Sequence, residues 1–106
     1  MCGIFAITGA KHNAADLVLD GLTKLEYRGY DSWGISVKDS QGKLIVDKHI
    51  GKIGSAQPHL PASNLGLGHT RWATHGGVTP ANAHPFLDCH QRLSLVHNGI
   101  IENYLD

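Results

Sequence analysis

Residues 33–50 read WGISVKDSQGKLIVDKHI, and this stretch decides the fold. From Trp33 to Val37, apolar side chains alternate with small or polar ones, the pattern of a half-buried strand. Asp39–Gly42 is a cluster of turn residues, and Leu44–Ile50 supplies a returning strand. The segment therefore predicts an antiparallel β-hairpin.

The sequence on either side of the hairpin predicts one helix. Asn13 can cap a helix over about 14–26, and Asp16 suits the positive end of its dipole. The helix should end near Gly29. Its apolar face is predicted to consist of Leu17, Val18, Leu22 and Leu25.

Further strands and loops complete the expected domain. Strands are predicted at 2–8, 65–72 and 92–97, the last with Leu93, Leu95 and His97 on one side. Loops are predicted at 54–64 and 74–82, and residues 99–106 should form a turn and the start of a helix. Because strands outnumber helices and include a hairpin, the expected class is α+β with an antiparallel sheet.

Composition excludes several function classes. The 106 residues suffice for one small domain, and nine basic residues balance nine acidic ones. A nucleic-acid or anionic-membrane partner is therefore not expected. No apolar run approaches the roughly 20 residues of a membrane span, and no signal peptide is evident, so we expect a cytoplasmic protein with reduced cysteines.

Cys2 is a candidate nucleophile. A free thiol has a pKa of about 8.5 and needs a base to become a thiolate near neutral pH. Removal of Met1 would make the α-amino group of Cys2 that base, because such amines titrate near pH 7.7–8.0. The alternative is a small apolar residue that merely begins a strand.

A polar and aromatic run, HTRWATHGG, occupies residues 69–77 at the end of a predicted strand. The guanidinium of Arg71 offers a rigid fork that pairs with a carboxylate through two parallel hydrogen bonds. A Gly-rich loop after the strand would present it to a small ligand. The alternative is a surface strand with a solvated arginine and a core Trp72.

Asn98 and Gly99 form a third candidate group. The Asn98 side-chain amide and the backbone N–H of Gly99 can point at one position, as the donors of an oxyanion hole do. The alternative is an ordinary Asn-Gly turn.

The eight histidines and Cys89 raise the alternative of a structural zinc site. The candidate ligands are His84, Asp88, Cys89, His90 and His97. No recognised ligand spacing is present, so no metal is expected.

Taken together, five segments resemble the N-terminal glutaminase domain of the glutamine–fructose-6-phosphate aminotransferase (isomerising), or glucosamine-6-phosphate synthase, family. They are 1–4 (MCGI), 25–32 (LEYRGYDS), 68–76 (GHTRWATHG), 82–85 (NAHP) and 96–103 (VHNGIIEN). They occur in the family's order and span nearly the whole chain. Amidophosphoribosyltransferases and asparagine synthetases share the Cys-Gly-Ile start and an Asn-Gly pair, but are not expected to carry the other segments.

The resemblance implies an N-terminal-nucleophile glutaminase fold, an α/β/β/α sandwich. Cys2 would attack the side-chain amide of glutamine to form a thioester, while Asn98 and Gly99 hold the oxyanion. Arg71 would bind the α-carboxylate of glutamine. Around it, the pocket would be shaped by Trp72, Thr74, His75 and His84. No cofactor is implied.

The resemblance also implies what lies outside this chain. Ammonia would pass to a sugar-phosphate isomerase domain that converts fructose 6-phosphate into glucosamine 6-phosphate, and the full-length protein could form a homo-oligomer. We expect residues 1–106 to be a partial class II glutamine amidotransferase domain, truncated to about its first half. Alone, it should hydrolyse glutamine poorly or not at all. The alternative is an inactive remnant with only a binding or assembly role.

Overall fold

A computed structural model describes residues 2–28, 31–72, 77–99, 101–103 and 105. The predicted antiparallel hairpin is confirmed, with β2 at Ser32–Lys38 and β3 at Leu44–Ile50. The turn between them is closed by Asp39, whose carboxylate accepts the backbone N–H groups of Gln41 (2.9 Å) and Lys43 (2.8 Å). This is the side-chain-to-backbone bonding for which aspartate is favoured in turns.

The sheet contains two more strands, β1 at Gly3–Thr8 and β4 at Leu65–Arg71. Its order is β1-β4-β2-β3, and every neighbouring pair is antiparallel. The starts of β1 and β2 therefore lie at the same end of the sheet as the end of β4. The α+β class and the strands expected at 2–8 and 65–72 are confirmed.

Helix α1 spans Ala14–Leu25 and continues as a 3₁₀ turn at Glu26–Arg28, while Gly29 lies outside the described residues. Asn13 precedes the helix as predicted, but its side chain makes no capping hydrogen bond. Instead, the first helical N–H, from Ala14, donates to the Ser63 carbonyl at 3.1 Å. The backbone of a neighbouring segment thus accepts a hydrogen bond at the start of the helix, the role that the sequence predicted for the Asn13 side chain.

The helix buries a narrower face than the sequence predicted. Val18 and Leu22 of the predicted apolar face are fully buried, whereas Leu17 of the same face is 37% exposed. The reason lies in β4, where Gly66 and Gly68 present no side chain and draw α1 close. Small residues therefore share the contact face, and Leu17 lies on its flank. The buried positions are Ala14, Ala15, Val18, Gly21 and Leu22.

Gly68 sets the distance between α1 and the sheet. A Cβ at this position would come within 2.8 Å of Leu22 Cδ1 and would collide with Val18 Cγ1. We expect Gly68→Ala to lower the free energy of unfolding by about 1–3 kcal/mol through overpacking, measured by urea denaturation. Gly77→Ala is the matched control, because its Cβ would meet only Thr79 Cγ2 at 4.0 Å. Equal stability of the two variants would contradict this account.

Strand β2 is buried on both faces from Ser32 to Val37, although alternation predicted a half-buried strand. Trp33, Ile35 and Val37 belong to the core cluster that also contains Val18 and Leu22 of α1. On the other face, the segment after residue 82 packs against Gly34. Alternation in this central strand therefore separates large from small side chains, rather than buried from exposed ones.

The last part of the chain differs most from expectation. Residues 80–82 of the predicted loop form a 3₁₀ turn, and residues 74–76 lie outside the described part. The predicted strand at 92–97 shrinks to β6, Ser94–Leu95, paired with β5, Phe86–Leu87. Leu93 and Leu95 are 58% and 46% exposed, because nothing in the described chain packs on their side. No helix appears among the described residues after 99.

Candidate active site

Cys2 lies at the sheet end where β1 begins. Gly3 pairs with Thr70, so the antiparallel register, continued by one residue, places Cys2 beside Arg71. Cross-strand neighbours project to the same face, so both side chains lie on the face opposite α1. The Cys2 thiol is half-buried and faces the Trp72 carbonyl oxygen, with Sγ 3.9 Å from it.

Arg71 is the last residue of β4 and is only 8% exposed. Its Nη1 donates to the Gly77 carbonyl at 2.9 Å, and Asn82 Nδ2 donates to the same oxygen at 3.0 Å. The guanidinium therefore holds the backbone at Gly77 beside the end of β4. A guanidinium carries five N–H donors and can bond more than one acceptor.

Trp72 lies beside this pair and is 46% exposed, so its indole presents an apolar surface to solvent. Its backbone carbonyl faces the thiol. Thr74 and His75, the other predicted pocket residues of this segment, lie outside the described residues. Their assignment stays a prediction.

His84 reaches the same face of the sheet from the segment that follows the 3₁₀ turn. Its ring stacks on His69 of β4, with centroids 4.2 Å apart and planes inclined by 16°. Its carbonyl lies directly over Gly34, where a Cβ would collide with it, and the His84–Pro85 peptide bond is cis. His69 is two residues before Arg71, so β4 aligns His84 with the Cys2–Arg71 pair.

The pKa values of both stacked histidines are depressed. Burial, His84 and Arg71 lower the pKa of His69 to about 3. Burial lowers the pKa of His84 to about 4, with contributions from Arg71, Lys48 and His97. Both rings are therefore neutral at physiological pH, and His84 Nδ1 can accept a hydrogen bond.

Asn98 and Gly99 are exposed, and the described contacts do not join them directly to Cys2. The link runs through the preceding residue, since the backbone N–H of His97 donates to His84 Nδ1 at 3.2 Å. The His97 ring also lies against Gly99, where a Cβ would approach within 3.0 Å of the ring Cε1. The predicted oxyanion donors, Asn98 and Gly99, are therefore connected to His84 through His97.

Sequence reasoning missed His69 as part of this site. One signal was available: His69 and Arg71 are two residues apart in one strand, and alternate residues share a face. His84 was assigned to the pocket, but its contacts with His69 and His97 depend on tertiary packing. Local patterns do not predict such contacts.

The described residues contain no group of three His, Cys, Asp or Glu side chains that could hold a metal ion.

Asp88, one of the candidate ligands, makes hydrogen bonds to the backbone instead. Its Oδ1 accepts the backbone N–H groups of Leu93 (2.7 Å) and Arg92 (2.6 Å), which lower its pKa. Asp88 therefore closes the β5–β6 hairpin.

Over the described ranges, no helix is both long and apolar enough to cross a bilayer.

The two depressed histidine pKa values predict that acid destabilises the fold. In the unfolded chain both rings would titrate near pH 6.5, above their folded pKa values of about 3 and 4. The unfolded state therefore binds more protons, and stability falls as the pH drops from about 6.5 towards 4. Asp47 and Asp88, whose pKa values are lowered from 3.8, add a further loss of stability as the pH falls through about 3.8 and below. Urea denaturation across this range tests the prediction, and His69→Phe should reduce the slope. A pH-independent midpoint would contradict it.

Comparison with known proteins places these features in context. The chain is 51% identical over 109 residues to glutamine–fructose-6-phosphate aminotransferase (isomerising) of Streptomyces coelicolor, covering 98% of the chain and 17% of that protein. It is 51% identical over 110 residues to a Thermus thermophilus protein of the same name, covering 100% of the chain and 18% of that protein. No protein-family model matches.

Two solved structures share the fold. Glutamine phosphoribosylpyrophosphate amidotransferase from B. subtilis, complexed with ADP and GMP, is 27% identical with a TM-score of 0.68, over 83% of this chain and 19% of that one. A structure described as the allosteric regulatory enzyme of purine biosynthesis is 30% identical with a TM-score of 0.69, over 82% and 19%.

The chain has an N-terminal-nucleophile fold, and in fold and sequence it is homologous to glutamine amidotransferases. Within that class, it is homologous to the glutamine–fructose-6-phosphate aminotransferases (isomerising), as the five segments indicated. The chain spans about 18% of the length of these curated relatives.

Proposed function

We propose that this chain carries the nucleophile of a glutamine-hydrolysing site, with Cys2 as the attacking group. The observation that carries the proposal is the position of Cys2 beside Arg71, at one end and on one face of the sheet. A thiol next to a buried arginine fork suits a substrate whose carboxylate is fixed while a second group on the same molecule reacts. Glutamine has that chemistry.

The reaction divides into two balanced steps. After removal of Met1, the Cys2 α-amine takes the thiol proton, and the thiolate attacks the side-chain amide carbon of glutamine. The tetrahedral intermediate collapses as its C–N bond breaks, and the protonated amine gives its proton to the leaving ammonia. Water then cleaves the thioester to release glutamate and regenerate the thiol.

The other residues position this chemistry. Arg71 would hold the α-carboxylate, and Asn98 Nδ2 with the Gly99 N–H would stabilise the oxyanion. Trp72, Thr74, His75 and His84 would enclose the substrate. Their support is the family resemblance and, for Arg71 and His84, a position on the same face of the sheet as Cys2.

The wider reaction rests on the relatives. Those proteins are named for transfer from glutamine to fructose 6-phosphate, so we infer that ammonia released at Cys2 serves the synthesis of glucosamine 6-phosphate in a separate isomerase domain. In this account the partners are glutamine and that domain, and the location is cytoplasmic.

The competing proposal is an inactive remnant that only binds or assembles. A specific observation favours it: on the face opposite α1, an open groove of about 450 Å³ runs between the sheet and the β6 segment. It is lined partly by Leu44, Leu67 and Leu93. Such an apolar surface destabilises a domain that stands alone.

An electrophilic glutamine analogue separates the two proposals. A diazoketone analogue carries the α-carboxylate and places a reactive carbon near the thiol. Stoichiometric labelling of Cys2, prevented by excess glutamine, supports a competent pocket. Labelling that glutamine does not prevent, or no labelling of a folded chain, supports the remnant.

A further inference from the structure

His69 occupies an unusual position for a histidine. Its side chain is fully buried, and neither ring nitrogen has a hydrogen-bond partner among the described residues. Burying such groups without partners costs free energy, so the polar atoms of His69 do not stabilise the fold. What the ring supplies is its flat face, on which His84 stacks at 4.2 Å.

His84 is held from several directions above that face. Phe86 packs against its ring at 4.5 Å, and Gly34 admits its carbonyl. The ring therefore has little freedom to rotate. With the ring so placed, Nδ1 meets the backbone N–H of His97 at 3.2 Å. That bond requires Nδ1 to carry no proton, which places the proton of the neutral ring on Nε2.

The geometry points to His69 as a positioning residue for the oxyanion donors, acting through His84 and His97. This inference rests on the proposed function. It adds that the contacts from His69 to His84 to His97, which we call the histidine column, orient Asn98 and Gly99.

Strand geometry explains why this arrangement is precise. His69 and Arg71 lie on one face of β4, about 7 Å apart for two residues of an extended strand. The same strand thus carries the carboxylate clamp and the base of the histidine column. One hydrogen-bonded strand therefore fixes the separation between the clamp and the base of the histidine column.

The charged and titratable groups around His84 support its neutral state. Arg71 and His69 face it from β4, Lys48 from β3, and His97 from the following segment. Burial, followed by the charges of Arg71, Lys48 and His97, lowers the pKa of His84 to about 4. The hydrogen bond to His97 therefore persists at neutral pH.

Two pairs of variants test the inference. His69→Phe keeps a flat ring, whereas His69→Ala removes it. His84→Asn keeps an acceptor near the Nδ1 position, whereas His84→Ala removes it. His90→Ala, at the exposed tip of the β5–β6 hairpin, is the control.

The first measurement does not depend on activity. Nitrogen NMR should detect scalar coupling across the hydrogen bond from the His97 amide to His84 Nδ1 in the unaltered chain, His69→Phe and His90→Ala. The coupling should be lost in His69→Ala. Coupling that survives in His69→Ala, or that is absent from the unaltered chain, would overturn the inference.

The second measurement is labelling of Cys2 by the diazoketone analogue. In His69→Ala, the maximal labelling rate should fall on the order of 10–100-fold, while the half-saturating concentration stays within about twofold. His69→Phe should label normally. Equal loss in both variants, or an equal change in rate and half-saturation, would show a merely structural role and overturn the inference.

The outcomes for the proposed function are distinguishable. If the unaltered chain is folded but not labelled, the proposed function is refuted for this chain. The NMR coupling alone then tests whether His69 positions His84 and His97. If His69→Ala does not fold, His84→Asn against His84→Ala gives the same comparison, with rescue by the asparagine expected. Equal labelling rates in those two variants would overturn the inference.

Discussion

Serine in place of Cys2 should lower the rate of labelling by the glutamine analogue by about 1,000-fold or more. The hydroxyl of serine is a far weaker acid than a thiol, so an α-amine that titrates near pH 8 deprotonates it to a much smaller extent. The half-buried position of Cys2 at the start of β1 accepts the smaller oxygen without rearrangement. Mass spectrometry of labelled peptides measures the effect.

Cys89→Ser is the matched control for this change. Cys89 is exposed at the tip of the β5–β6 hairpin, away from the sheet end that carries Cys2. Its replacement should leave labelling unchanged. Rapid labelling of the Cys2→Ser chain, or loss of labelling in Cys89→Ser, would show that Cys2 is not the nucleophile.

Arg71→Lys should raise the concentration of glutamine that protects Cys2 from labelling on the order of 100-fold, about 2–3 kcal/mol. Lysine keeps the positive charge but loses the planar fork that pairs with a carboxylate through two hydrogen bonds. It also cannot reproduce the hydrogen bond from Arg71 Nη1 to Gly77 in the same geometry. Protection curves measure the change directly.

A substrate control separates binding from folding. 4-Aminobutanamide is glutamine without its α-carboxylate, so its weak protection should be the same in the unaltered chain and in Arg71→Lys. Arg92→Lys, at an exposed arginine, should protect normally. A loss of protection by 4-aminobutanamide in Arg71→Lys would mean that the substitution damages the pocket rather than a carboxylate contact.

The β2–β3 hairpin could be predicted from local sequence because Trp33–Val37 alternate and the turn has a specific chemistry. Residues 33–50 contain both signals, and the hairpin formed within one residue of its predicted bounds. The burial of individual positions was less predictable. Leu17 matched helical periodicity, yet the glycines of β4 determined which part of α1 contacts the sheet. That information lies about 50 residues away in sequence.

The segment after residue 77 was predicted less well than the hairpin. Alternation at 92–97 predicted a strand with Leu93 and Leu95 on one side, but an alternating pattern indicates a face without indicating what covers it. In the described chain β6 pairs only with the two-residue β5, and Leu93 is exposed. β5 itself is too short to give a periodic signal.

The candidate site divides in the same way. Cys2 and Arg71 were identified by the chemistry of their side chains, and the sheet register places them together. The role inferred for His69 required tertiary structure, because its contacts are a ring stack with a distant segment and a hydrogen bond beyond it. No local motif contains either contact.

The most direct test of the N-terminal cysteine mechanism is the intact mass of the chain, quenched with acid shortly after mixing with glutamine. The account predicts a protein without Met1 that carries one added γ-glutamyl group, located on Cys2 and released by hydroxylamine as a thioester would be. Retention of Met1 in the population that acquires the group would contradict the α-amine as base. A γ-glutamyl group on Cys89 would contradict Cys2 as the nucleophile.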